Sequence, residues 1–165
     1  PHWAKDPAIA ARMINARAET VAEKPAYRAA FRRRRCLVPA DGFYEWRKEG
    51  GRKQPYFIRM RDDRLFAFAA LWESWEGPDH SYLESCTLLT TEPNPLIRPI
   101  HDRMPVILPP EAYGAWLDPA VQDAARLLPL LGSYPPEQMH AQPVSPLVNN
   151  PRTDSAECLA AFSLF

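Results

Sequence analysis

An imidazole, a carboxylate and a guanidinium occupy consecutive positions in Ile100-His101-Asp102-Arg103-Met104-Pro105, a stretch that is otherwise apolar and punctuated by proline. Histidine is the side chain whose ordinary pKa lies closest to neutral, which makes His101 a candidate to give or take a proton near pH 7. Glu45, in Asp41-Gly42-Phe43-Tyr44-Glu45-Trp46, is a second candidate. Alternation along a strand puts Phe43 and Glu45 on one face, with Tyr44 and Trp46 on the other. Partial burial of the Phe43 face would desolvate the carboxylate and raise its pKa towards the range useful for acid–base work. An edge strand facing water would leave Glu45 an ordinary surface glutamate.

Asn15-Ala16-Arg17-Ala18-Glu19-Thr20 alternates polar and small residues, as a strand does where a ligand backbone comes close. Asn15 can both donate and accept towards a sugar or amide, and Arg17 suits a phosphate. Glu19, on the same face of an extended strand, would pair with Arg17; the plainer reading is a surface strand with one salt bridge. Arg32-Arg33-Arg34-Arg35 is a basic block at the end of a helical pattern, either a solvated face or a patch that tracks phosphates. The hydroxyls of Thr90-Thr91 at a strand end are further phosphate candidates, against a simple strand-end turn. Trp3 either stacks on a base or anchors the chain.

Short elements must position these groups. The spacing predicts a brief helix over Ala8–Arg12, a strand over Met13–Ala18 and a helix over Ala26–Arg35 with Tyr27 and Phe31 on one face. A short strand follows at Cys36-Leu37-Val38. Phe43–Lys48 and Pro55–Met60 read as strands joined at Gly50-Gly51, a hairpin signal. Leu65–Trp75 and Tyr82–Thr91 form a second expected hairpin. A one-turn connection over Pro93–Ile100 leads to a strand at Val106-Ile107-Leu108. Helices from Pro109-Pro110 to Leu117 and over Val121–Leu131 precede a strand near Met139–Val144. The pattern is that of an α+β domain: a strand-rich curved sheet or open barrel with flanking helices.

Composition bounds the rest. At 165 residues, 46% hydrophobic and 24% charged, the chain reads as one soluble globular domain, with no apolar run long enough to cross a bilayer. The expected setting is cytoplasmic or nucleoid-associated, without a membrane partner. Cys36, Cys86 and Cys158 are scattered and lack C-x-x-C spacing, so neither a disulfide framework nor a metal site is expected. The net charge of zero hides an asymmetry, because residues 1–64 carry 16 Lys/Arg against 8 Asp/Glu and residues 65–165 carry 4 against 12. A basic half suits an anionic partner; internal pairing of the two halves is the alternative.

Read in order, Pro1-His2-Trp3-Ala4-Lys5, Asn15–Thr20, Arg35-Cys36-Leu37-Val38-Pro39-Ala40-Asp41-Gly42-Phe43-Tyr44-Glu45-Trp46, Thr90-Thr91, His101–Pro105 and Val144–Asn150 resemble the SOS response-associated peptidase (SRAP) family over essentially the whole chain. The resemblance implies a single α+β domain over residues 1–165 that shields abasic sites in single-stranded DNA. It also implies an amino-terminal cysteine that forms a thiazolidine with the ring-opened sugar, and an autocatalytic peptidase activity at that terminus. It assigns proton transfer to Glu45, acid–base work on the sugar oxygen to His101, and the holding of the terminal residue and sugar to Asn15. Flanking phosphates fall to Arg17 and Thr90, a neighbouring base to Trp3, and Arg35 joins the DNA-binding set. No cofactor is implied, and a monomer is expected. The family's opening Met-Cys-Gly-Arg is absent from these residues, so the expectation is a chain that carries the supporting site without its nucleophile. Two other functions stay open: a noncovalent single-stranded nucleic-acid binding module, and a cysteine peptidase acting on other proteins.

Overall fold

The computed structural model describes residues 1–162, which form two compact units. The first comprises residues 1–39, 66–91 and 105–134, and the second residues 40–65, 92–104 and 135–165 as far as they are described. The architecture is α+β and strand-rich, with short helices.

In the first unit a sheet runs in the order β1 (Asn15–Arg17), β6 (Tyr82–Thr91), β5 (Phe66–Glu76), β2 (Arg35–Ala40). β1 lies parallel to β6, with Asn15 opposite Leu88 and Arg17 opposite Thr90. Ala16 is buried between exposed Asn15 and Arg17, the alternation expected of a strand with one face on a core. Beyond Arg17 the chain turns into a 3₁₀ segment, Ala18–Thr20, so Glu19 does not continue the Asn15–Arg17 face. The expected second hairpin forms, β5 pairing antiparallel with β6 from Ala70 opposite Leu88 to Glu76 opposite Tyr82.

Val106 and Leu108, flanking the start of β8 (Ile107–Leu108), join Leu71, Leu89, Phe31 and Trp116 in the core. The helix expected over Ala26–Arg35 is the shorter α1 (Arg28–Arg33). That expected from Pro109 begins as a 3₁₀ turn and continues as α2 (Tyr113–Leu117). The helix expected over Val121–Leu131 shrinks to α3 (Ala124–Leu127) followed by a 3₁₀ turn. Asp123 accepts from the Ala125 N–H and starts the helix late, and Pro129 cannot supply the N–H that would extend it.

Arg35 corrects an expectation. It is 6% exposed, and its guanidinium donates to four backbone carbonyls: Trp116 at 2.5 Å, Phe31 at 2.9 Å, Arg32 at 2.6 Å and Asp118 at 2.5 Å. The Phe31, Arg32 and Trp116 carbonyls lie where α1 and α2 end, Asp118 O also accepts from the Val121 N–H at 3.1 Å, and a planar fork of donors reaches all four. Its neighbours differ: Arg32 and Arg33 are exposed, while Arg34 pairs with Glu73 at 2.6 Å. A phosphate therefore cannot reach the Arg35 side chain in this fold.

In the second unit β3 (Phe43–Glu49), β4 (Arg52–Met60) and β9 (Met139–Pro143) form an antiparallel sheet in that order. Gly50 and Gly51 both take positive φ, 53° and 81°, as a two-residue hairpin turn of this hand requires. The turn fixes the register, with Glu45 opposite Tyr56, Trp46 opposite Pro55 and Lys48 opposite Lys53. Ile58, Met60, Met139, Met104 and Ile97 are fully buried beside this sheet's residues and the 92–104 connection. Gly42 is required by space: a Cβ there would lie 2.2 Å from the Phe57 ring, which packs on Tyr44 at 5.3 Å. Among the described residues no helix is long and apolar enough to cross a membrane.

Replacing Arg35 by methionine should lower stability by about 3 kcal/mol, because buried carbonyls lose a charged donor. Arg33→Met should stay within about 0.5 kcal/mol. Urea unfolding of the two variants checks this, and equal costs would show that the Arg35 carbonyls find other donors.

Candidate active site

His101 and Glu45, 56 positions apart in the sequence, meet in the second unit, with His101 Nε2 4.0 Å from Glu45 Oε2. Each is placed by local chemistry. Glu45 stands on β3, the outer strand of its sheet, at a register set by the Gly50-Gly51 turn. His101 closes the expected one-turn connection, where its N–H donates to Ile97 O at 2.9 Å and the Arg98 N–H to Asn94 O at 2.9 Å. Asn94 organises that turn. It is 2% exposed, and its Oδ1 accepts the N–H groups of Leu96 and Ile97 at 3.1 and 3.0 Å. A side chain that satisfies the first donors of a single helical turn is what a short connection needs in place of helix length.

The two groups differ in exposure. The Glu45 side chain is 20% exposed and that of His101 42%. Burial pushes the Glu45 carboxyl above the usual glutamate range, and the Asp102 carboxylate adds to this. The His101 ring and the Trp46 N–H pull the other way without overcoming it. On the far side of the imidazole, Nδ1 has partners in either tautomer. The Arg103 N–H can donate to it at 3.1 Å; when protonated it faces the Arg103 carbonyl at 3.1 Å and Asp102 Oδ1 at 3.3 Å. Nε2 is thus the ring nitrogen that faces Glu45. The 4.0 Å separation is too long for a direct hydrogen bond. An oxygen or nitrogen lodged between the two would reach both.

These residues line an open cleft of about 710 Å³, bounded further by Trp46, Lys48, Lys53 and Asn149. The Trp46 Nε1–H donates to Asn149 Oδ1 at 2.7 Å, tying β3 to the Pro146–Asn149 turn. The sequence alone does not mark Lys48, Lys53 or the Trp46–Asn149 bond as site features. The lysine pair becomes visible only once the hairpin register is counted from Gly50-Gly51.

The remaining candidates lie in the first unit. Asn15 and Arg17 are exposed at the start and end of β1, and Thr90 is Arg17's register partner on β6. Trp3 is 52% exposed, beside a backbone held by the Trp75 indole, which donates to Ala4 O at 2.6 Å. A smaller, more apolar cavity of about 240 Å³ in this unit, near Tyr27, Leu71 and Cys86, holds neither His101 nor Glu45. Nor do Cys36 and Cys158 resemble activated nucleophiles. Burial beside Cys86 pushes the Cys36 thiol up to about 11, and Cys158 is buried with its thiol directed at Thr153 O, 3.8 Å away.

The sequence pattern of the SOS response associated peptidase (SRAP) family matches residues 1–151. The chain belongs to that family. It is 47% identical over 160 residues to the abasic site processing protein YoqW of Bacillus subtilis, covering 96% of this chain and 71% of YoqW. It is 35% identical over 190 residues to the abasic site processing protein HMCES of Xenopus tropicalis, covering 99% of this chain and 55% of HMCES. A crystal structure of a Bacteroides thetaiotaomicron protein superposes on 98% of this SRAP chain and 73% of its own, with a TM-score of 0.89 at 31% identity. A phage-related protein of Bordetella bronchiseptica superposes with a TM-score of 0.64 at 33% identity, covering 80% of this chain and 63% of its own. At these identities the likeness extends beyond the fold to the family.

The raised Glu45 carboxyl has a consequence for stability. Folding takes up a proton at this group. Its stabilising contribution is therefore complete below the ordinary carboxyl range and is lost as pH rises through the folded value. Glu45→Gln, which stays uncharged, should unfold a few degrees above the parent at pH 8 and show little gain at pH 4 by scanning calorimetry. A gain confined to pH 4 would reverse the assigned direction.

Proposed function

We propose that the full-length protein captures abasic sites in single-stranded DNA covalently, with an amino-terminal cysteine as nucleophile and Glu45 and His101 as its proton carriers. The observation that carries this reading is the pairing of a half-buried carboxyl, its pKa raised by burial, with an imidazole 4.0 Å away in an open cleft. Membership of the family to which abasic site processing proteins belong supplies the substrate class.

The chemistry asks for few groups. An α-amine attacks the aldehyde carbon of the ring-opened sugar and gives a carbinolamine. Loss of water leaves an imine, with Glu45 supplying the proton that lets the hydroxyl depart. The thiol adds to the imine carbon and its proton passes to nitrogen, closing a five-membered ring. The net change is the loss of one water. Amine and thiol on one residue give that closure a high effective molarity. His101, with Nδ1 partnered, handles the proton of the sugar oxygen through Nε2 during ring opening and reversal. Asn15 holds the terminal residue and the sugar, Arg17 and Thr90 take flanking phosphates, and Trp3 packs on a base. The autocatalytic peptidase step falls to the same terminus, and a protein acting on DNA in this way would work in the cytoplasm or on the nucleoid.

A cysteine peptidase built on Cys36 or Cys158 is disfavoured, because Cys36 holds its proton too tightly and Cys158 is buried.

The test is a denaturing gel after mixing full-length protein with an abasic oligonucleotide. A heat-stable adduct should form, should vanish when the terminal cysteine is serine, and should accumulate about 10²–10⁴-fold more slowly with Glu45→Gln. Adduct formation by Glu45→Gln at the parent rate would remove Glu45 from the mechanism, and no adduct from the parent would refute the reading.

A further inference from the structure

We infer that Lys48 and Lys53 form a phosphate clamp on the rim of the Glu45–His101 cleft, holding the DNA strand on one side of the reacting sugar. The inference rests on the proposed function for its substrate.

Arginine supplies 16 of the 20 basic residues and lysine only four, yet two of those four lysines are direct cross-strand partners at this cleft. Like charges opposed across a hairpin destabilise it. Both side chains are exposed, and neither ammonium meets an acidic partner among the described residues. Among the described residues the repulsion is thus left uncompensated, next to the two-glycine turn that sets the pairing. An anion between the two ammonium groups would relieve it.

Distance selects the anion. Lys48 is three residues from Glu45 on the same strand, about 10 Å at about 3.3 Å per residue. That is roughly one to three nucleotides along a DNA strand, allowing for lysine reach and for a single strand more extended than the duplex spacing of about 3.4 Å. A clamp there touches no reacting atom. It positions the strand, so its removal should weaken binding and leave the chemical step alone. Compact ammonium groups suit this role, attracting a backbone phosphate without selecting a base.

The experiment uses full-length protein carrying Lys48→Ala with Lys53→Ala, and a Lys48→Arg, Lys53→Arg rescue. Fluorescence anisotropy with an unmodified single strand should show several-fold weaker binding by the alanine pair. Its slope of log affinity against log salt should be shallower by about 0.7 for one lost phosphate contact. The arginine pair should restore both. With an abasic oligonucleotide, the concentration for half-maximal adduct rate should rise while the rate at saturation stays at the parent value. On an abasic nucleotide with a single flanking nucleotide, parent and alanine pair should react alike. The alanine pair should unfold no earlier than the parent, since the change removes a repulsion.

An unchanged salt slope, or a deficit that persists on the shortest substrate, would overturn the clamp. A parent that forms no adduct would refute the proposed function instead, leaving the anisotropy measurement to decide the clamp.

Discussion

The candidate site depends on one constraint: the Glu45 carboxyl is half-buried and, among the described residues, is paired with no arginine or lysine. A nearby arginine or lysine would have held it ionised at every pH of interest. Its neighbour is an imidazole at a distance too long for a hydrogen bond, and a second carboxylate, Asp102, stands behind that ring. The two groups therefore stand close without being tied by a direct hydrogen bond. Several features of the second unit serve this arrangement. The two-glycine turn sets which β3 residues reach the cleft, Asn94 braces the turn that ends at His101, and the Trp46–Asn149 bond fixes one wall.

Buried polar side chains do similar work in both units, each bonding backbone groups at the ends or interruptions of short elements. Arg35 answers carbonyls at two helix ends. Gln54, 9% exposed, donates to Pro55 O and Val144 O at 2.9 Å each, where a proline interrupts β4. Asn94 supplies an acceptor to two successive N–H groups. A protein built of brief strands and single helical turns has many such ends, and each costs stability if left without a partner.

Much of this architecture was legible in the sequence where the signal was local. Gly50-Gly51 marked a turn, strand alternation gave the face on which Glu45 stands, and strand-forming runs on either side of a turn located both hairpins. The helices were less legible. Asp123 and Pro129 shorten the last helical segment, overriding an apolar spacing that extends further on paper. Within the site, His101 and Glu45 stood out as proton carriers among apolar neighbours, although nothing local stated that they meet. The arginine block misled because four identical residues take different fates: two are solvated, one pairs with Glu73, and Arg35 is buried. Which arginine turns inward is decided by carbonyls of residues 116 and 118, more than 80 positions away. Lys48 and Lys53 were hidden for the opposite reason, since only pairing across the turn brings them together.

The central claim, that Glu45 holds its proton beyond the usual glutamate range because of burial beside His101, is open to direct measurement. Carboxyl-carbon NMR of full-length protein, followed from pH 3 to 8 and assigned with Glu45→Gln, reports that titration. The Glu45 resonance should titrate above about 4.3, the ordinary glutamate value. It should also carry a second, smaller inflection that disappears in His101→Gln, the mark of two coupled groups. A single titration at or below about 4.3 would contradict the account, because Glu45 would then behave as an ordinary surface carboxylate.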